Sequence, residues 1–62
     1  MEVTIRCLDG SIIKENDVGK LSIENNCLVL ITRTELKYYN LEYVRNFSRS
    51  RRNYEEFRCD FN

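Results

Sequence analysis

The chain has 62 residues, with ten Lys and Arg against ten Asp and Glu, three cysteines, no histidine and no proline. So short a chain makes one domain, residues 1–62, and buries only ~60% of the surface its unfolded form exposes, so a disulfide, a metal or a partner copy is the usual further support. Zero net charge, the missing histidine and the lack of an apolar run near ~20 residues speak against an obligate nucleic-acid module, a histidine-based enzyme and a membrane span.

Alternation with a period of two dominates the chain. Val3, Ile5 and Cys7 interleave with Glu2, Thr4 and Arg6, which predicts a half-buried strand. Asp9-Gly10 predicts a tight type I′ turn, with Ser11 to Glu15 returning as the second arm. Asn16-Asp17-Val18-Gly19 is turn material, and a short third strand follows at Leu21 to Glu24. Asn25-Asn26 suits another tight turn, because asparagine tolerates the left-handed region. Cys27 to Thr32 is apolar on both faces, as a central strand is when both sides are covered or a partner covers one. After a polar bend at 33–35, Leu36-Lys37-Tyr38-Tyr39 reads as strand, with its two tyrosines facing opposite ways.

Two stretches fit more than one element. In 41–47, Leu41 and Val44 suit a helical turn capped by Asn40, whereas Tyr43, Arg45 and Phe47 suit a strand, which the aromatic and β-branched content favours. In 54–61, Phe57, Cys59 and Phe61 alternate as a strand. Tyr54, Phe57 and Phe61 also recur with helical spacing behind a capping-box-like Asn53 and Glu56. A helix of about nine residues is weak alone, so strand is preferred. The predicted fold is all-β, a small antiparallel meander of five or six strands; the alternative is the same sheet with a short C-terminal helix.

Of the three supports, the cysteines offer little. Cys7, Cys27 and Cys59 are odd in number and widely spaced, and no secretory signal precedes the first strand. They read as small buried hydrophobes in a reduced, cytoplasmic chain. Zinc would need all three thiols plus a carboxylate or a second chain, so no metal and no cofactor is expected. A homodimer remains, through a sheet edge or the second face of the 27–32 strand.

Catalytic equipment is missing from the pattern. Gly10 and Gly19 stand alone in turns, so no phosphate-cradling loop exists, and the adjacent Glu55 and Glu56 do not make an acid/base pair. Asp9 and Asp17 suit local turn hydrogen bonds, and no cysteine or serine has a visible activator. The expectation is that the chain is not an enzyme.

What stands out is an arginine run, Arg45, Arg49, Arg51 and Arg52, in a half of the chain that also holds every aromatic residue. The first 32 residues carry three basic and five acidic side chains, hence −2; the last thirty carry seven basic and five acidic, hence +2. If 54–61 is a strand, the run forms the end of a hairpin. As solvated charge it would keep a sheet edge from aggregating. As a binding element, Arg45, Arg49, Arg51 and Arg52 with Tyr38, Tyr39 and Tyr54 would dock on a partner, since arginine and tyrosine are enriched at interface hot spots. Zero net charge favours an acidic protein surface over a phosphate backbone.

The functional expectation is therefore a protein-binding inhibitor or modulator of a larger cellular target. Phage-encoded anti-defence or host-takeover factors, acting in the cytoplasm of a bacterial host, belong to that class. The alternatives are a small nucleic-acid-binding regulator, using the same arginines and tyrosines, and a structural assembly subunit.

Overall fold

The computed structural model describes residues 1–52 and 54–61. Seven strands follow in chain order: β1 Glu2–Cys7, β2 Ile12–Glu15, β3 Val18–Glu24, β4 Cys27–Thr32, β5 Leu36–Asn40, β6 Val44–Arg51 and β7 Tyr54–Asp60. All pairings are antiparallel and form two sheets, a four-stranded one ordered β2-β1-β6-β7 and a three-stranded one ordered β3-β4-β5. The all-β meander is thus present, with seven strands where five or six were expected, because both ambiguous stretches supply one. No α-helix occurs among the described residues. The C-terminal helix alternative gives way to β7, and its capping residue Asn53 lies outside the described residues.

Turn chemistry sets the local registers. The β1–β2 connection is not the type I′ turn that Asp9-Gly10 suggested, since only Gly10, at φ 91, has positive φ there. The Gly10 N–H donates to the Cys7 carbonyl at 3.1 Å and the Cys7 N–H to the Ser11 carbonyl at 2.9 Å, the pattern of a type I turn closed by a left-handed glycine. Asp9 stabilises this longer loop by accepting from the N–H and the hydroxyl of Ser11, and these bonds hold its carboxyl below the ordinary range. Asn25 and Asn26, at φ 49 and 59, do make the two-residue turn expected between β3 and β4. Residues 41–47 divide between their two readings. Leu41–Tyr43 is one 3-10 turn, capped by Asn40 accepting from the Glu42 N–H at 2.9 Å, and β6 begins at Val44.

Alternation then decides which side chains meet. Val3, Ile5, Val44 and Phe47 of the four-stranded sheet join Val18, Leu28 and Leu30 of the three-stranded sheet in one buried cluster, with Leu41 of the connecting turn. Phe47, 1% exposed, is the largest of these and packs against Phe57 and Phe61 with ring centroids 6.0 and 5.7 Å away. The three cysteines are free and only half-buried, less enclosed than expected of small core hydrophobes, because they lie toward the sheet margins.

Polar links tie the two sheets together. The Met1 amine donates to the Val18 carbonyl at 2.9 Å, and the Val18 N–H returns to the Met1 carbonyl at 2.9 Å. Glu15 of β2 accepts from Lys37 Nζ at 2.9 Å and from the Tyr39 hydroxyl, both on β5. These hydrogen bonds, Tyr39 first and then Lys37, hold the Glu15 carboxyl below its ordinary pKa of 4.5. Burial, then the bond to Glu15, pushes the Tyr39 hydroxyl up to about 12.

Candidate partner-binding hairpin

β6 and β7 form the hairpin that carries the arginine run, Arg45, Arg49 and Arg51 on β6 and Arg52 in the turn. Its register pairs Phe47 with Cys59, Ser48 with Arg58, and Arg49 with Phe57; a bulge follows, then Ser50 with Glu55 and Arg51 with Tyr54. Across the sheet, Arg49 continues the inward-facing row of Glu15, Val3 and Phe57. An arginine in such a row cannot remain fully solvated. Its guanidinium carbon lies 5.4 Å from the centroid of the Phe57 ring, and its Nε is shielded from water with no hydrogen-bond partner. The ring supplies cation–π attraction and restricts the guanidinium.

Beyond the bulge the hairpin is open to solvent. Arg51, Arg52 and Tyr54 are exposed, Tyr54 by 73%. Arg51 approaches Glu56 at 3.8 Å, a loose pair between exposed groups that leaves its charge available. Arg52 holds φ 54, a left-handed conformation that costs a non-glycine residue about 1 kcal/mol and that asparagine or glycine would adopt more readily. An open cleft of about 420 Å³ runs beside the hairpin end, lined by Met1, Glu2, Asn16, Asp17, Ser50, Arg51 and Arg52. Glu2 and Asp17 give this cleft both signs of charge, which weakens its pull on a uniformly anionic polymer.

The remaining sequence-predicted residues lie elsewhere. Arg45 sits near the opposite end of β6, about 20 Å along the extended strand from Arg51. Tyr38 stands on the outward face of the three-stranded sheet, 61% exposed, and Tyr39 turns inward to Glu15, so the two tyrosines do face opposite ways. The fold therefore gathers Arg49, Arg51, Arg52 and Tyr54 and separates them from Arg45, Tyr38 and Tyr39. Phe57, the ring beneath Arg49, was missed as a binding residue. Its signal was present only as an aromatic that would fall across from Arg49 if 54–61 were strand.

Among the described residues no group of acidic or cysteine side chains is placed to hold a metal ion, and no helix is long and apolar enough to cross a membrane. No protein-family model matches the chain, and neither curated proteins nor solved structures give a significant match.

Proposed function

We propose that this chain is a non-enzymatic binding protein that docks on an acidic surface of a larger protein and inhibits or modulates it through the arginine-rich end of the β6–β7 hairpin. The observation that carries this reading is Arg49, braced on Phe57 with an unpartnered Nε beside the exposed Arg51, Arg52 and Tyr54. A shielded donor without an acceptor costs about 1–3 kcal/mol. An incoming carboxylate would engage a guanidinium already held in place. The left-handed Arg52 supports the same reading, since a turn selected for stability alone would place glycine or asparagine there.

The functional unit is read as a homodimer, because a chain this short lacks the buried surface that larger domains rely on. A role as a host-takeover or anti-defence factor is a further step of the proposal and rests on size and composition.

The test is affinity purification of the tagged protein from a host lysate, followed by mass spectrometry. A discrete stoichiometric complex is expected. Arg51→Glu with Arg52→Glu should weaken it at least about ten-fold, since each charge-assisted hydrogen bond contributes about 1.5–3 kcal/mol. Adding Arg49→Glu should abolish it, with circular dichroism confirming that the variants stay folded. Recovery of no reproducible partner would sink the proposal. Retention on oligonucleotides that weakens steeply with salt would replace it with the nucleic-acid reading, and large self-assemblies would point to the structural one.

A further inference from the structure

The register of the three-stranded sheet lays its outward side chains in three rows across the strands. Lys20, Ile31 and Leu36 form the first, Ser22, Val29 and Tyr38 the middle, and Glu24, Cys27 and Asn40 the last. The inward rows, Leu21–Leu30–Lys37 and Ile23–Leu28–Tyr39, cover the core. Among the described residues, the buried core cluster draws on the inward rows and on none of the outward ones. Ile31, Leu36 and Tyr38 are 39, 53 and 61% exposed and make the apolar surface of this face; Val29 between them is already covered by its neighbours, 3% exposed, and Cys27 is half-buried. Only β3 brings charge to this face, with Lys20 at one end and Glu24 at the other.

That charge arrangement is self-complementary in one geometry. Two copies packed face to face can be related by a two-fold axis along the strands or across them, and an isologous contact must work in both directions at once. An axis along the strands sets Lys20 over Leu36 of the second copy and Tyr38 over Ser22, which buries an ammonium against a leucine. An axis across the strands sets Lys20 over Glu24 of the second copy and Glu24 over its Lys20. It also stacks Tyr38 on Tyr38 over the covered Val29 and sets Ile31 over Cys27, with Leu36 falling over Asn40 next to Tyr38 of the second copy.

We propose that the outward face of β3-β4-β5 binds a second copy of this chain, with the two-fold axis across the strands through Val29 and Tyr38 and reciprocal Lys20–Glu24 pairs at the rim. A face of three strands by about five residues spans roughly 14 by 17 Å, about 240 Å² per copy and well under the ~800 Å² per partner of a standard interface, so the dimer is weak and exchanges readily with monomer. The inference rests on reading the functional unit as a homodimer and leaves the hairpin free for another partner.

Sedimentation velocity between roughly 1 and 500 µM, the range a small interface demands, is the test. The unaltered protein should convert to dimer with rising concentration. Lys20→Glu alone and Glu24→Lys alone should each raise the dissociation constant at least about five-fold, since each reversal turns both reciprocal pairs repulsive. Mixing those two variants should restore dimer as a heterodimer, and the doubly swapped chain should regain it by itself. Tyr38→Lys, which sets like charges on the axis, should leave only monomer, with an unchanged circular dichroism spectrum. A dimer indifferent to these substitutions would overturn this face while leaving the homodimer standing. A monomer at every concentration would overturn both.

Discussion

The two sheets present outward faces built by the same alternation with opposite chemistry. On the four-stranded sheet one outward row reads Lys14, Thr4, Ser48, Arg58 and the next Ile12, Arg6, Asn46, Asp60. Thr4, Asn46 and Ser48 are nevertheless buried on this face. Long charged neighbours close over short polar ones, and Arg6 donates to Asn46 Oδ1 at 3.0 Å. The outward middle of the three-stranded sheet instead reads Val29, Ile31, Leu36 and Tyr38. Val29, 3% exposed, is roofed in the same way, but by apolar neighbours, so it is Ile31, Leu36 and Tyr38 that meet solvent. The difference leaves polar groups at the surface of the first face and apolar ones at the surface of the second, where we propose that a second copy docks.

The largest expected effect lies beneath both faces. Phe47→Ala removes the ring that Phe57 and Phe61 pack on and should cost about 3–5 kcal/mol, enough to unfold so small a domain, as thermal denaturation would show. A native-like melt would mean the two faces do not share one core.

A smaller effect belongs to the bridge between the sheets. Tyr39→Phe leaves Glu15 with Lys37 alone and should cost about 1 kcal/mol at neutral pH. The pH profile carries the sign. Glu15 has its pKa lowered in the folded state, so its contribution is full above 4.5 and is lost as pH falls through the folded value. Tyr39 has its pKa raised from 10.0 to about 12, so its contribution is full below 10 and is lost as pH climbs toward 12. Tyr39→Phe should flatten the alkaline limb, and an unchanged limb in chemical denaturation would remove Tyr39 from the bridge.

The smallest effects sharpen the comparison between the faces. Leu36→Lys, on the exposed apolar face, should move the stability of the monomer by no more than about 0.5 kcal/mol while weakening self-association. Arg6→Ala should do the reverse, uncovering Asn46 at a cost of about 1 kcal/mol and leaving self-association alone. Measuring melts and sedimentation on both variants would invert the comparison if Leu36→Lys unfolded the monomer or Arg6→Ala dissociated the dimer.

Much of the fold was legible because alternation and turn residues are local signals. Val3 and Ile5 against Thr4 and Arg6, the Asn25-Asn26 turn, and the opposed Tyr38 and Tyr39 all follow from the pleat and from which residues accept positive φ. Asp9-Gly10 misled because the same pair serves two loops, and the Asp9–Ser11 hydrogen bonds favour the longer one. The arginine run was visible, but its division was not. Arg45 and Arg51 are close in sequence, yet an extended strand carries them to opposite ends.

By itself, the sequence determined an all-β chain, most of its strands, the Asn25-Asn26 turn and an arginine cluster near one hairpin end, whereas Val18 and Gly19, read as turn, open β3. Those properties depend on residue type and on spacings of a few positions. Only the tertiary structure decided that β6 returns to lie beside β1, so that Arg49 enters an inward row over Phe57, and that β3-β4-β5 keeps an uncovered apolar face with Lys20 and Glu24 at its ends. Pairing between strands some forty residues apart is set by how the whole chain buries Phe47, Ile5 and Leu30 together, and no local pattern carries that information.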